Sequence, residues 1–593
     1  MCSIFGFKST NANYSSNSVF VEVAIDGMLH RGPDNTNVIS VDRHCTLGHQ
    51  RLAIIDVDDE ANQPMKFNNF TIAFNGEVYN YIELKKELID GGVEFDTRSD
   101  TEVLLRGYIK YGYSFLNKIN GMFAFSIYDE VEKKLVLVRD RFGVKPLHYT
   151  IQDGVFYFSS EIKPLIEIKN NIKKNINIYN SFFDEMATDY NEETFIKDIY
   201  QVEKGSIVEV SNDEINKEKW YHGNDFSFDE SLLKSKEKTL ELVENTLTSA
   251  IDVRMRADVP ICLTLSGGID STTIYTLIKE KLNKDIKLFT YVHPGSPTNE
   301  YKKVKKLVDS YGDVVVTVQS EDSNNFKDIE NDLNAVEFPI WGISTRAYVD
   351  MYNTIKKAGF KVVIEGHGSD EQLGGYPYMV ESAFYDYLKR GNFFKAYEML
   401  KIERATGHSG LGNKHNFMFK KFSKAIARFI IKNKDIKYFQ ENIDWTVEFK
   451  ILPIVLRAFD RLSMNSSLES RAPFMDYRVV ELFKKLPIEY KINSIGNKAI
   501  LREILKKYNK TYIYKDKEKM GFASDLPKFF NIKENKEKAK QYIEEFDMAE
   551  FDHQKNKALE SISQSTIEWS DTFEMSKVIL ISMINQKYGL DND

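Results

Sequence analysis

The chain has 593 residues, 42% of them hydrophobic and 28% charged, with a formal net charge of −8. That length exceeds one core and predicts roughly two to four domains, the apolar content excludes wholesale disorder, and the acidic balance argues against a dedicated nucleic-acid binder. Three cysteines are too few for a disulfide framework, no apolar run approaches ~18 residues and no signal peptide opens the chain, so a soluble cytoplasmic protein with no membrane partner is expected.

From Cys2 to about residue 210, short strand-like runs lie between turn residues, at 71–75, 122–128, 134–139 and 155–159. The alternation Phe123-Ala124-Phe125-Ser126-Ile127-Tyr128 predicts sheet covered on at least one side. Helices are predicted near 19–29 and 81–91, so residues 2–210 read as an α+β domain of antiparallel sheet with packed helices. Residues 211–235 are polar and turn-rich and are assigned as a linker. From 236 an apolar stripe at 240, 243, 247, 250 and 251 predicts a helix. Strands at 261–265, 287–292, 314–318 and 361–364 then alternate with helices such as 300–310, the pattern of a doubly wound parallel α/β sheet. Beyond Glu381 the pattern is mostly helical, and the lysine-rich stretch 414–437 reads as a solvated face rather than a polyanion site. The second domain is therefore placed at 236–593.

Cys2 directly follows the initiator Met. Removal of that Met would give a thiol beside its own α-amine, whose pKa near ~8 suits it to accept the thiol proton. An accidental cysteine near a terminus is the competing reading. Other groups gather the chemistry of an amide hydrolase acting on an amino acid. His30-Arg31-Gly32-Pro33-Asp34 is a turn with an Arg; Arg51 precedes the strand-like run Leu52–Asp56; Phe74-Asn75-Gly76-Glu77 ends a strand with an amide and a glycine; Arg98-Ser99-Asp100 puts an acid at a helix start. A guanidinium can hold a carboxylate, an acid can hold an ammonium, and a side-chain amide with a backbone N–H can form an oxyanion hole.

These segments, together with 139–147 (Arg-Asp-Arg-Phe-Gly-Val-Lys-Pro-Leu), resemble the class II glutamine amidotransferase domain. The resemblance implies the N-terminal-nucleophile fold, a four-layer αββα sandwich. It implies that Cys2 attacks the side-chain amide of L-glutamine, that Arg51 binds the glutamine carboxylate, that Asn75 and Gly76 supply the oxyanion hole, and that Glu77 and Asp100 contact the amino end. Cys45 and Cys262 read as buried small residues.

A second motif, Leu265-Ser266-Gly267-Gly268-Ile269-Asp270-Ser271, sits between strand and helix. Glycines allow close approach to an anion, the following helix presents unpaired N–H groups, and Asp270 suggests a bridging cation. The Lys of a P-loop is absent. Glu365-Gly366-His367-Gly368-Ser369-Asp370-Glu371 follows another strand. The first loop resembles that of ATP pyrophosphatases. With Tyr291–Ser296, Asp460–Met464, Leu468–Asp476 and Lys498–Glu503, the chain resembles the glutamine-hydrolysing asparagine synthetase family over nearly its whole length. By that resemblance Leu265, Ser266, Gly267, Gly268, Ser271, Tyr291, Glu365 and Gly366 belong to the ATP site, Asp270 and Asp370 hold Mg²⁺, and Lys498 stabilises charge during adenylation. A homodimer and an aspartate acceptor are implied as well.

His367 departs from that family pattern, which places an acid or Gln there. A histidine can act as a base near neutral pH or hydrogen-bond a different acceptor, and both roles stay open. Alternatives to aspartate are a sugar acid, a peptide or a secondary metabolite, or an intramolecular ligase. A non-catalytic scaffold would release no glutamate from glutamine.

Overall fold

The computed structural model describes residues 2–9, 18–211, 214–292, 300–319, 325–340, 345–406, 437–516 and 526–590. The Lys-rich stretch 414–437 lies almost wholly outside the described residues, as do residues 293–296.

Two six-stranded antiparallel sheets build the first part. Edge to edge, one runs Ile199–Gln201, His148–Gln152, Val155–Ser159, Ser3–Ser9, Cys45–Arg51, Asn35–Ser40. The other runs Glu214–Lys219, Ser206–Ser211, Lys134–Arg139, Gly121–Asp129, Phe70–Val78, Met65–Phe67. Side chains alternate across each strand, and both faces are buried. Ile4, Leu47, Ala73, Ala124 and Phe158 fill the space between the sheets. Phe5 and Phe7 point outward to Val21 and Ile25 of the helix Ser18–Asp26. Phe123 and Phe125 point outward to the helices Tyr81–Asp90 and Asp100–Tyr111, where Leu84, Leu88, Val103 and Leu104 meet them. This is the αββα sandwich that the resemblance implies. Burying each such Phe contributes about 1.5–3 kcal/mol, which explains why the apolar alternation runs so consistently through this half.

The structure corrects two assignments. Residues 214–219, assigned to the linker, form the edge strand of the second sheet, paired antiparallel with Ser206–Ser211. That strand reads Glu-Ile-Asn-Lys-Glu-Lys and is mostly exposed, so no apolar alternation marks it; charged residues of this kind protect a free sheet edge. The run after Arg51 is not a strand. The strand Cys45–Arg51 ends at that residue, and Leu52, Ile54 and Ile55 form a buried loop against Val253, Val362 and Met464 of the second part.

The helix Lys236–Arg254 leads into a five-stranded parallel sheet, ordered Val315–Val318, Lys287–Tyr291, Ile261–Thr264, Val362–Ile364, Glu469–Arg471. Chain order reverses between Ile261–Thr264 and Val362–Ile364. In open parallel sheets ligands bind at the carboxyl ends of the strands flanking such a reversal. The loops Leu265–Gly268 and Glu365–Gly368 leave these two strands. Helices follow, including Leu452–Asn465 and, at the end, Trp569–Tyr588. Phe183 of the sandwich packs on Phe551 of this helical region with ring centroids 4.4 Å apart.

Candidate active sites

The Ser3–Ser9 strand lies beside Cys45–Arg51 in its own sheet and packs across the sandwich on Phe70–Val78. Cys2 thus meets Asn75, whose Oδ1 accepts from the Cys2 backbone N–H at 3.2 Å. The Asn75 Nδ2 group is buried without a hydrogen-bond partner, a donor left for an incoming oxygen. Gly76 has φ +150°, and a Cβ there would lie 2.1 Å from the Met122 carbonyl oxygen, so the strand needs glycine beside Asn75. Cys2 is 7% exposed and burial raises its thiol pKa. Asp100 caps the loop by accepting from the Val78 N–H at 2.9 Å, and burial pushes its carboxyl up to about 7. Arg51 spends its guanidinium on the loop that follows: Nη1 donates to Asp58 O at 2.8 Å and Asn62 Oδ1 at 2.9 Å, and Nη2 to Asp56 O. A glutamine carboxylate would share Arg51 with those carbonyls.

Two arginines outside the expected set hold this site in place. Arg31, fully buried, donates through Nε to the Cys2 carbonyl at 3.2 Å, through Nη1 to Glu161 at 3.2 Å and through Nη2 to Asp460 at 2.9 Å. It fixes the Cys2 backbone and ties it to the second part in one fork. Arg471, also fully buried, lies 3.4 Å from Glu77 and 2.5 Å from Glu469. Burial, and then the Glu469 carboxylate, hold the Glu77 pKa well above its ordinary value. Both arginines stand in motifs that were quoted above; their partners hundreds of residues away were not readable there.

The second set converges on one cavity of about 760 Å³, lined by Leu265 to Ser271, Tyr291, Glu365 to Gly368, Asp370 and Lys498. The first loop is pinned by its own hydroxyls: Ser271 Oγ accepts from Ser266 N at 3.1 Å, and Ser266 Oγ accepts from Gly268 N at 3.2 Å. The helix Ile269–Glu280 begins at the loop's end and directs its first N–H groups there. Lys498 Nζ sits between the two predicted metal ligands, 2.5 Å from Asp270 and 2.9 Å from Asp370. Burial alone would lower the lysine pKa; these two carboxylates raise it instead. Its backbone is left-handed, φ 52° and ψ 38°, at a cost of roughly 1 kcal/mol for a non-glycine residue. A Cβ on Gly375 would lie 1.9 Å from Asp370 Oδ1, so that glycine lets the acid take its place. The pair already holds a cation, as Mg²⁺ ligands would. Among the described residues no three His, Cys, Asp or Glu groups converge, so phosphate oxygens would complete a metal's shell.

His367 also lines this cavity. Its ring stacks on Phe459 at 3.4 Å between centroids, and Nε2 is 3.2 Å from Glu365 Oε2, out of line for a hydrogen bond. Glu365 accepts instead from Tyr352 OH at 2.9 Å and Ser470 Oγ at 2.5 Å. Burial would raise the Glu365 pKa, but His367 and these hydroxyls lower it. A separate void of about 30 Å³ lies between Tyr79, Gly121 and Met122 of the sandwich and Ala472 and Met475 of the second part. It has room for a water-sized molecule, and His367, Val455 and Phe459 line both it and the cavity.

A sandwich with a cysteine at its second residue, joined to a switch-point cavity with a cation between two acids, defines an amidotransferase coupled to a ligase domain. The chain belongs to the asparagine synthase family, whose model matches residues 242–572, and a glutamine amidotransferase domain matches residues 1–221. It is 28% identical over 598 residues to glutamine-hydrolysing asparagine synthetase 1 of Bacillus subtilis, covering 94% of this chain and 92% of that one. It is 28% identical over 537 residues to asparagine synthetase 3 of the same organism, covering 85% and 84%. Amidase chry2 of Gibberella zeae is 25% identical over 570 residues, covering 83% of each chain.

Proposed function

We propose that this protein is an ATP- and glutamine-dependent amidotransferase with two sites. Cys2 Sγ attacks the glutamine carboxamide carbon, and the Asn75 Nδ2 and Gly76 N–H groups receive the oxyanion. Ammonia leaves, and water releases glutamate from the thioester. Arg51 would hold the glutamine carboxylate, with Glu77 and Asp100 at its amino end. In the second site an acceptor carboxylate oxygen attacks the α-phosphorus of ATP, the bond to the β-phosphate oxygen breaks, and pyrophosphate departs. Ammonia then attacks the acyl carbon, loses a proton, and AMP leaves with the former carboxylate oxygen. Mg²⁺ held by Asp270 and Asp370 would neutralise phosphate charge, and Lys498 does so as a point charge. His367 lines both the void and the cavity, suited to accept the ammonia proton or to contact the acceptor.

The observation that carries this reading is the placing of His367, which lines both the cavity holding Lys498 and the water-sized void that faces the sandwich. Aspartate, giving asparagine, is the acceptor that the resemblance implies. Relatives named both asparagine synthetase and amidase are reason to test other acids beside it. Three buried free thiols fit a reducing, cytoplasmic setting, and among the described residues no helix is long and apolar enough to cross a membrane. A homodimer is the expected assembly, measurable by sedimentation. The test of function is purified protein with glutamine, ATP, Mg²⁺ and single carboxylic acids. Glutamate and acid-dependent pyrophosphate are expected; a nucleotide-binding scaffold would release neither.

A further inference from the structure

The nucleotide loops make up only part of the lining of the large cavity. The rest includes an apolar wall of Met186, Met351, Ile451, Ile454, Val455 and Phe459, with the half-exposed Phe573, alongside the polar Tyr348, Tyr376, Tyr378 and Glu371. Ile454, Met351, Phe459 and Val455 are each under 9% exposed, while Phe573 is 47% exposed. Ile454, Val455 and Phe459 stand on the helix Leu452–Asn465, with Ile451 just before it, while Met186, Met351 and Phe573 come from three other segments. Along that helix Ile454 and Phe459 lie roughly 7 Å apart at 1.5 Å per residue, and Phe459 carries the His367 stack.

Aspartate fits this wall poorly. Its second carboxylate and its ammonium lie within a methylene and an α-carbon of the reacting carboxyl, so both counter-charges would have to stand close to His367. Among the described lining residues the cations besides His367 are Lys450, Lys498 and Arg502. Lys498 is held between Asp270 and Asp370. Arg502 donates Nε to Asn497 O at 2.7 Å, Nη1 to Tyr514 O at 2.8 Å and Nη2 to Asn497 Oδ1 at 3.0 Å. Lys450 stands just before Ile451, 3.5 Å from Glu185 and over the Trp445 ring. Glu365 beside His367 could meet the ammonium, but the second carboxylate, set against buried Ile, Val and Phe, would lack a counter-charge, which is strongly unfavourable. An extended apolar body would instead cover the wall and gain from doing so.

We infer that the acceptor is a carboxylic acid carried on an extended apolar body, aliphatic or aromatic, with the carboxylate near His367 and Lys498 and the far end toward Phe573 and Lys450. This rests on the adenylating reading above and narrows its substrate.

Decanoate serves as the probe, with the full-length protein. Calorimetric binding of decanoate and ATP–Mg²⁺-dependent pyrophosphate release are measured beside the same assays with aspartate. Decanoate is expected to bind and to release pyrophosphate at concentrations where aspartate does neither. Ile454→Asp should weaken decanoate binding at least ten-fold. Because that substitution is buried, Phe573→Asp, at a half-exposed position, is the second variant, expected to weaken binding several-fold in a folded protein. The inference is overturned if aspartate releases pyrophosphate at lower concentration than decanoate, if decanoate does not bind, or if both variants bind it as the parent does. Variant-sensitive binding with no pyrophosphate from any acid would support the apolar site and sink the adenylation step instead.

Discussion

At the scale of single residues, the proposed reading divides the chemistry between the Cys2 sulfur and the Lys498 ammonium. Cys2→Ala should abolish glutamate release and glutamine-dependent amide formation, while synthesis from ammonium salts persists; equal loss of both would refute two separate sites. Asp270→Asn removes one of the two carboxylates that hold Lys498 and should reduce acid-dependent pyrophosphate release by at least a hundred-fold, with glutaminase activity retained. Asp100 gives a pH test. Its carboxyl, pushed up to about 7 by burial, is ionised above that pH and neutral below it. If Asp100 meets the glutamine ammonium as proposed, only its ionised form attracts it, so the glutaminase KM for glutamine should rise as pH falls through about 7, approaching ten-fold per unit. In Asp100→Asn the KM should be high throughout and flat with pH. These residues were legible in the chain because each stands in a compact motif. The fork of Arg31 was not: its partner Asp460 is 429 residues away, and no local pattern encodes that distance.

At the scale of elements, the three-residue strand Glu469–Arg471 connects the sites. Its alternation sends Ser470 to Glu365, the partner of His367, and Arg471 to Glu77, beside the proposed glutamine site. Arg471→Met would leave Glu77 and Glu469 buried without that counter-charge, a loss of about 3 kcal/mol for a broken buried pair. Urea denaturation should show it, together with a raised glutamine KM; an unchanged midpoint would mean that other groups compensate. Three residues are too few to show a period, so this strand could not be read from the sequence. The longer sandwich strands could, because apolar alternation on two buried faces persists over several residues. Leu52–Ile55 misleads for a related reason: an apolar run reports burial, and here burial is at the contact between the two parts rather than in a sheet.

Over the whole molecule, the two parts share interior rather than merely touching. Arg31, Glu161, Lys145 and Asp460 form one fully buried set across the contact, next to the apolar patch of Leu52, Ile54 and Met464. Heating should therefore give one unfolding transition, and Arg31→Met should lower its temperature by several degrees without splitting it, read by differential scanning calorimetry. Two independent transitions would contradict the shared interior. Domain order and the parallel sheet were visible in the spacing of strands and helices, whereas this shared surface depends on pairs that only the fold brings together.

Met186 belongs by sequence to the glutamine amidotransferase half, yet its side chain forms part of the wall on which the acid to be amidated would lie. Selectivity would then be a joint property of both halves. A graft that exchanges the first 210 or so residues for those of a relative would carry over the nitrogen donor's machinery and, unintentionally, part of the recipient's choice of acid.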